Sequence, residues 1–173
     1  MSLRKKFRIL LFFLALVGLI LSLYLVYEYY QDKPITCPIS LVNTCETVKQ
    51  SENSTLLGVK LPVFGSLYFM ILLVKLGIYI FYDQIKNFFF ISRIRHSKNQ
   101  IILSIKQIMQ PKFYDLGLFI CLLWGISFET YMTYIQIFNI EAICKWCIMI
   151  EIIVVLMFFI NILELVTWKI KKI

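Results

Sequence analysis

Four apolar stretches, each close to 20 residues long, constrain the fold of this chain more than any other feature of its sequence. They cover about residues 9–28, 61–82, 114–138 and 143–166. A helix of about 20 apolar residues is long enough to span the hydrocarbon core of a bilayer. The chain is 60% hydrophobic and only 16% charged, whereas soluble domains are about one-quarter charged. We therefore predict an all-α integral membrane four-helix bundle, with residues 1–173 forming a single domain.

The first apolar stretch stands where a signal peptide would stand, but its length argues against one. The apolar part of a signal peptide has about 7–15 residues and is followed by a cleavage site of small residues. The stretch at 9–28 is longer, and no A-x-A triplet follows it. We expect it to be retained as the first helix.

Most basic residues lie on one side of the predicted bundle. They precede the first stretch, fill the segment between the second and third, and follow the fourth: Arg4, Lys5, Lys6, Arg8, Lys86, Arg93, Arg95, Lys98, Lys106, Lys112, Lys169, Lys171 and Lys172. The positive-inside rule places such segments in the cytoplasm. Because these charges flank membrane spans, the net charge of +8 does not indicate a nucleic-acid partner. Both termini are therefore expected in the cytoplasm.

The loop at about residues 29–60 falls on the opposite, extracytoplasmic side. It carries Cys37 and Cys45. Its later part, from Ser51 to Leu61, mixes polar and apolar residues, a pattern typical of a short helix at a membrane interface. We expect such a helix to cap the bundle.

A second cysteine pair opens the fourth stretch, as Cys144 and Cys147 in the motif C-K-W-C. Residues three apart share a helix face, and the unpaired amides of a helix N-terminus favour the reactive thiolate. Two dithiols on one side of a membrane indicate electron transfer by disulfide exchange. The apolar bundle beneath them indicates a lipid-soluble electron acceptor.

Other interpretations of these cysteines stay open at this point. A zinc site needs four ligands, and His96, the one histidine, lies on the cytoplasmic side. The loop pair alone is compatible with a structural disulfide. The alternative from another class is a non-enzymatic small membrane protein, a transporter or assembly factor, with two structural disulfides.

Four more residues in or beside the apolar stretches have ionisable, aromatic or thiol side chains. Glu151 lies one turn after Cys147, and ionisable groups inside a membrane are costly and often functional. We expect it either to relay protons or to play a structural part, and we expect a structural part for Glu129. Trp146 lies next to both thiols and is expected either to cover a ligand ring or to sit at the interface. Cys121 is expected to be a small buried apolar residue.

The motifs together resemble those of a known family. C-P-I-S-L-V-N-T-C in the loop is followed by S-E-N-S-T-L-L-G-V-K-L-P-V-F-G-S-L-Y-F and then by Y-I-Q-I-F-N-I-E-A-I-C-K-W-C. This order resembles the vitamin K epoxide reductase (VKOR) family, and in particular its prokaryotic homologues. The resemblance implies a four-helix bundle around a quinone, either ubiquinone or menaquinone, with the outer loop as its cap.

The resemblance also implies a role for each cysteine. Cys147 would react with the quinone, and Cys144 would exchange with the loop through Cys45. Cys37 would take electrons from a partner. Ser51 corresponds to a serine near the active site of the family, so Ser51, Trp146 and Glu151 are the residues that we predict beside the quinone.

Taken together, these features predict a quinone-dependent thiol oxidoreductase in the inner membrane of a bacterial cell. Many prokaryotic homologues carry a fused thioredoxin-like domain, and no such domain follows the fourth stretch here. The expected partner is therefore a separate extracytoplasmic protein of thioredoxin fold, DsbA-like. Reoxidising that partner would support disulfide bond formation.

Overall fold

Five α-helices and one small hairpin make up the part of the chain that the computed structural model describes, residues 3–31, 35, 44–92 and 111–170. The helices are α1 (Leu3–Tyr30), α2 (Thr44–Gln50), α3 (Leu61–Ser92), α4 (Pro111–Phe138) and α5 (Lys145–Ile170). A 3₁₀ turn at Glu52–Ser54 and the strands β1 (Thr55–Leu56) and β2 (Val59–Lys60) connect α2 to α3. Cys37 and the basic segment at 93–110 lie outside the described residues.

Four of these helices are long and apolar enough to cross a membrane. Their candidate spans are Leu3–Tyr30, Leu61–Phe81, Tyr114–Phe138 and Lys145–Thr167. The prediction of an all-α membrane bundle is confirmed. The first helix begins at Leu3 rather than near residue 9. The basic residues that precede the predicted stretch therefore lie in the first turns of this helix.

The core of the bundle is formed where α1 packs against α3 and α5, and α5 packs against α4. The contact between α3 and α4 is much smaller. Gly18 of α1 lets the ring of Phe69 of α3 pack directly against the backbone of α1, because a Cβ atom at this position would collide with that ring. Large apolar side chains also cover the outside of the helices, as expected for surfaces that face lipid.

The short helix α2 caps one end of the bundle. The carboxylate of Glu46 accepts a 2.9 Å hydrogen bond from the backbone N–H of Ile35. The ammonium group of Lys49 donates a 2.7 Å hydrogen bond to the carbonyl oxygen of Gln31. These bonds join α2 to the chain that leaves α1, and they leave Cys45 and Val48 facing inward and buried.

The capping helix was predicted in the segment from Ser51 to Leu61, and that position is wrong. The helix lies earlier, at Thr44–Gln50, and the predicted segment forms the 3₁₀ turn and the hairpin instead. Leu57 and Gly58 have φ angles of 54° and 78° between the paired residues Leu56 and Val59. Two successive residues with positive φ are what a tight two-residue hairpin turn requires, and Gly58 adopts this conformation without strain.

A buried cluster of four charges holds the opposite end of the bundle together. Arg8 on α1 is 0% exposed, and its guanidinium lies 2.7 Å from Glu164 on α5 and 2.7 Å from Asp115 on α4. Arg4 pairs with the same two carboxylates. Two guanidinium and two carboxylate groups balance each other, so the cluster links three helices without a net charge.

Candidate active site

Cys144 occupies the N-cap position of α5. Its carbonyl oxygen accepts the 3.1 Å hydrogen bond from Ile148 that opens the helix, and its side chain is 0% exposed. The pKa of the Cys144 thiol lies below its ordinary value, first because the Cys147 thiol donates a hydrogen bond to it. The backbone N–H groups of Trp146 and Cys147 lower that pKa further, as expected for a side chain at a helix N-cap. Cys144 is therefore prepared to act as a thiolate.

Gln136 on α4 contacts both cysteines of the motif. Its side-chain Oε1 accepts a 2.9 Å hydrogen bond from the backbone N–H of Cys144, and its amide also hydrogen-bonds the sulfur of Cys147. The side chain is only 3% exposed. One buried amide thus fixes the position of the two cysteines relative to α4.

Cys147 faces a cavity inside the bundle, which we call the inner cavity. Residues from all five helices line it, and its walls are mostly apolar. The polar side chains on its wall are Ser22, Tyr29, Glu129, Gln136 and Cys147. The Ser22 hydroxyl is buried and has no hydrogen-bond partner among the described residues. The inner cavity therefore offers an apolar space with a thiol and an unused hydroxyl on its wall.

The capping helix closes the inner cavity above Cys147. Val48 of α2 lines the cavity, and Cys45 lies one turn earlier on the same buried face of α2. Cys45 takes part in a disulfide bond, whereas Cys144 and Cys147 are free thiols. The capping helix thus places the buried side chain of Cys45 at the end of the bundle where the C-K-W-C motif begins. Its predicted companion, Cys37, lies outside the described residues.

A second cavity, the lateral cavity, opens between α3 and α4, where these two helices make little contact. Tyr68 and Trp124 are among its walls, and Trp124 is 71% exposed. Gly65, Phe128 and Glu129 line both cavities. The inner cavity is therefore adjacent to a space on the lipid-facing side of the bundle.

The three residues predicted beside the quinone have other contacts. Ser51 donates a 2.7 Å hydrogen bond to the carbonyl oxygen of Val48, and the ring of Trp146 lies 5.1 Å from that of Tyr24. Glu151 accepts a 2.7 Å hydrogen bond from the hydroxyl of Thr133. None of the three is among the described residues that line either cavity. Their predicted contact with quinone remains a prediction.

Three other residues occupy positions that our sequence reasoning did not assign to them. From the sequence, no role is expected for Ser22 or Gln136, and a structural part is expected for Glu129. Each is a polar side chain within a long apolar helix. A polar group in such a helix is costly unless it forms a hydrogen bond or takes part in function. That signal was present in the sequence, but it does not reveal which polar residues of different helices meet.

The described part of the chain contains no group of three His, Cys, Asp or Glu side chains close enough to hold a metal ion. The surroundings of Cys144 and Cys147 are compatible with redox-active thiols. Cys144 is held at a helix N-terminus and touches Cys147, which faces a cavity lined by apolar residues. This arrangement is suited to passing electrons from a dithiol to an apolar acceptor.

Comparison with known proteins agrees with this chemistry. The model of the vitamin K epoxide reductase family matches residues 9–162, which include the four candidate spans almost completely and both cysteine pairs. No curated protein matches the chain. The resemblance seen in the motifs is thereby confirmed, and the chain belongs to the vitamin K epoxide reductase family as a multi-pass membrane oxidoreductase that acts on thiols.

Proposed function

We propose that this protein oxidises the dithiol of a separate thioredoxin-fold, DsbA-like protein outside the cytoplasm and passes the electrons to a membrane quinone. The electrons would travel through Cys37 and Cys45, and then through Cys144 and Cys147. The observation that carries this proposal is the inner cavity, where Cys147 and an unpartnered hydroxyl share an apolar space beneath the cap that holds Cys45.

The first exchange takes place in the outer loop. A thiolate of the partner attacks Cys37 in a disulfide with Cys45 and releases Cys45 as a thiolate. The second thiol of the partner then breaks the mixed disulfide, so that the partner leaves oxidised and both loop cysteines are reduced. The burial of Cys45, which is 0% exposed, supports Cys37 as the cysteine that meets the partner.

The second exchange joins the loop to the bundle. The Cys45 thiolate attacks Cys144 in a disulfide with Cys147 and releases Cys147, and Cys37 then reforms its bond with Cys45. Cys144 and Cys147 are left as a dithiol that faces the inner cavity. A bound quinone would accept two electrons and two protons from this dithiol, which closes as a disulfide.

The inner cavity fits a quinone in two respects. Its apolar walls suit the ring, and the Ser22 hydroxyl, which is buried without a partner among the described residues, can donate a hydrogen bond to a ring carbonyl. Leaving a buried hydroxyl without a partner is unfavourable, so a ligand that bonds to Ser22 would remove that cost. The lateral cavity gives such a ligand a path from the membrane that does not cross the aqueous phase.

The orientation that we propose places the cysteine end of the bundle outside the cytoplasm and both termini inside it, in the bacterial inner membrane. The basic residues of the sequence support this orientation through the positive-inside rule. Arg4 and Arg8 lie at the end of the bundle opposite to Cys144, which agrees with that arrangement.

A reconstituted assay tests the proposed function. Purified protein in liposomes receives reduced DsbA and either ubiquinone or menaquinone, and quinol formation is followed by absorbance. Wild-type protein should form one quinol for each partner disulfide. Cys147→Ser should abolish quinol formation, and Ser127→Ala should retain it because Ser127 is exposed on α4 and lines neither cavity. Equal quinol formation by wild type and Cys147→Ser would contradict the proposal and favour the non-enzymatic alternative.

A further inference from the structure

Glu129 occupies a position in the bundle that no other carboxylate among the described residues shares. It lines the inner cavity together with Cys147, and it also lines the lateral cavity together with Tyr68. It therefore lies where the two spaces meet, in surroundings that are otherwise mostly apolar. Glu129 is thus the polar side chain that the two cavities share.

The carboxyl group of Glu129 has no structural bond that accounts for its presence. Among the described residues it makes neither a hydrogen bond nor an ion pair. Glu151, the other carboxyl group nearby, differs because it accepts the 2.7 Å hydrogen bond of Thr133. A carboxyl group inside a membrane span is costly, so one without a structural partner suggests a use in the chemistry of the site.

The surroundings of Glu129 bring it close to the groups that exchange protons. It interacts electrostatically with Cys147 and Glu151 of α5 and with Tyr68 of α3, and Tyr29 of α1 lines the same cavity. Two carboxyl groups close together in an apolar region favour a state that keeps one proton between them. Of these two carboxyl groups only Glu129 lines the cavities, so it is the one placed to exchange a proton with a ligand there.

We propose that Glu129 is the proton-transfer residue of the quinone site, delivering its proton to an oxygen of the quinone and then taking the proton of the Cys147 thiol in its place. This inference rests on the proposed function and names a further residue of that site. The balance is complete: forming the Cys144–Cys147 disulfide releases two electrons and two protons, and the quinol takes up both. Glu129 conducts one of these protons and ends the turnover in the state in which it began.

The test compares Glu129→Gln, which keeps the shape and loses the acidic proton, with Glu129→Asp, which keeps the acid. Glu52→Gln is the matched control, because Glu52 lies in the exposed 3₁₀ turn outside both cavities. In single-turnover experiments Glu129→Gln should oxidise the partner at the wild-type rate. Its quinol formation should be at least about 100-fold slower, which is the lower end of the effect of general acid–base catalysis. Glu129→Asp should recover part of that rate, and Glu52→Gln should match the wild type in both steps.

A second readout needs neither quinone nor turnover. The infrared spectrum of the reduced, quinone-free protein should contain the carbonyl band of a protonated carboxyl group. This band should be absent in Glu129→Gln and present in Glu52→Gln, and it should shift in heavy water. A wild-type quinol rate in Glu129→Gln, or a carbonyl band that survives this substitution, would overturn the inference.

The outcomes also separate this inference from the proposed function. If Cys147→Ser abolishes quinol formation while Glu129→Gln does not slow it, the function stands and only the role of Glu129 fails. If Cys147→Ser still forms quinol, the proposed function itself fails. Should Glu129→Gln not fold, the rate of Glu129→Asp and the carboxyl band of the wild type decide the question.

Discussion

The Oε1 atom of Gln136 lies 2.9 Å from the backbone nitrogen of Cys144 and accepts its hydrogen bond. Through this contact α4 holds the N-cap residue of α5, which is the first cysteine of the C-K-W-C motif. Because the amide of Gln136 also reaches the sulfur of Cys147, the two cysteines of the motif share one support.

Gln136→Ala should destabilise the protein and loosen the motif. The buried N–H of Cys144 would lose its acceptor, and a buried unsatisfied donor costs about 1–3 kcal/mol. The thermal midpoint in detergent should fall accordingly. Gln50→Ala is the control, since Gln50 makes an exposed hydrogen bond of 2.8 Å to Glu46 and should change the midpoint little. Equal thermal midpoints for Gln136→Ala and Gln50→Ala would show that the buried hydrogen bond between Gln136 and Cys144 does not stabilise the fold.

The thiolate of Cys144 should form at a lower pH than that of an ordinary cysteine, whose pKa is about 8.5. The pKa of Cys144 is lowered first by the hydrogen bond from Cys147, so the thiolate is favoured and its fraction at neutral pH is raised. Cys147→Ala removes this donor and should move the titration midpoint upward. The ultraviolet absorbance of thiolate in reduced, quinone-free protein measures both midpoints, with Cys144→Ser as the blank. A midpoint that is unchanged by Cys147→Ala would rule out this cause.

Ser22→Ala should weaken quinone use without weakening the fold. A single hydrogen bond contributes about 0.5–1.5 kcal/mol, so the KM for quinone should rise by about 2- to 13-fold with little change in kcat. The quinone-free protein should be as stable as the wild type or more so, because the substitution removes a buried hydroxyl without a described partner. Ser66→Ala is a matched control, since the Ser66 hydroxyl donates a 3.0 Å hydrogen bond to Pro62 within α3. An unchanged KM would remove Ser22 from the quinone site.

Arg8→Leu should be strongly destabilising, because it leaves buried carboxylates with too few cations. Breaking a buried ion pair by removing one partner costs about 3–5 kcal/mol. Arg8→Leu combined with Glu164→Leu should recover much of this loss, since Arg4 and Asp115 still pair. Lys6→Ala, at an exposed position of the same helix, should change the thermal midpoint little. A double variant no more stable than Arg8→Leu would show that charge balance is not what stabilises this end.

The sequence predicted the spans and the chemistry better than it predicted contacts between helices. Apolar length alone is enough to identify a span, and the motif C-K-W-C identifies its thiols without any tertiary information. The pairing of Arg8 with Glu164, by contrast, joins residues 156 positions apart. Such contacts depend on how α1, α4 and α5 are rotated against one another, and every face of these helices is apolar enough that hydropathy does not reveal the rotation.

The capping helix shows a second limit. The segment from Ser51 to Leu61 has the mixed composition of an interfacial helix, but Gly58 permits a tight turn and the chain forms a hairpin there. The helix forms earlier, where the carboxylate of Glu46 and the ammonium group of Lys49 bind backbone atoms of the chain that leaves α1. These contacts between separate parts of the loop outweigh the local pattern.

The buried charge cluster also implies that the N-terminal arginines have two successive roles during biosynthesis, first as uncompensated charges and later as members of ion pairs. Glu164 follows Arg8 by 156 residues, and a chain is made from its N-terminus. In the orientation proposed above, Arg4 and Arg8 would have no carboxylate of α5 to meet while α1 enters the membrane, and their positive charges would retain the N-terminus in the cytoplasm. Once α5 is inserted, the same guanidinium groups are neutralised by Asp115 and Glu164. The two arginines would thus first orient α1 and would stabilise the assembled bundle only after α5 has been inserted.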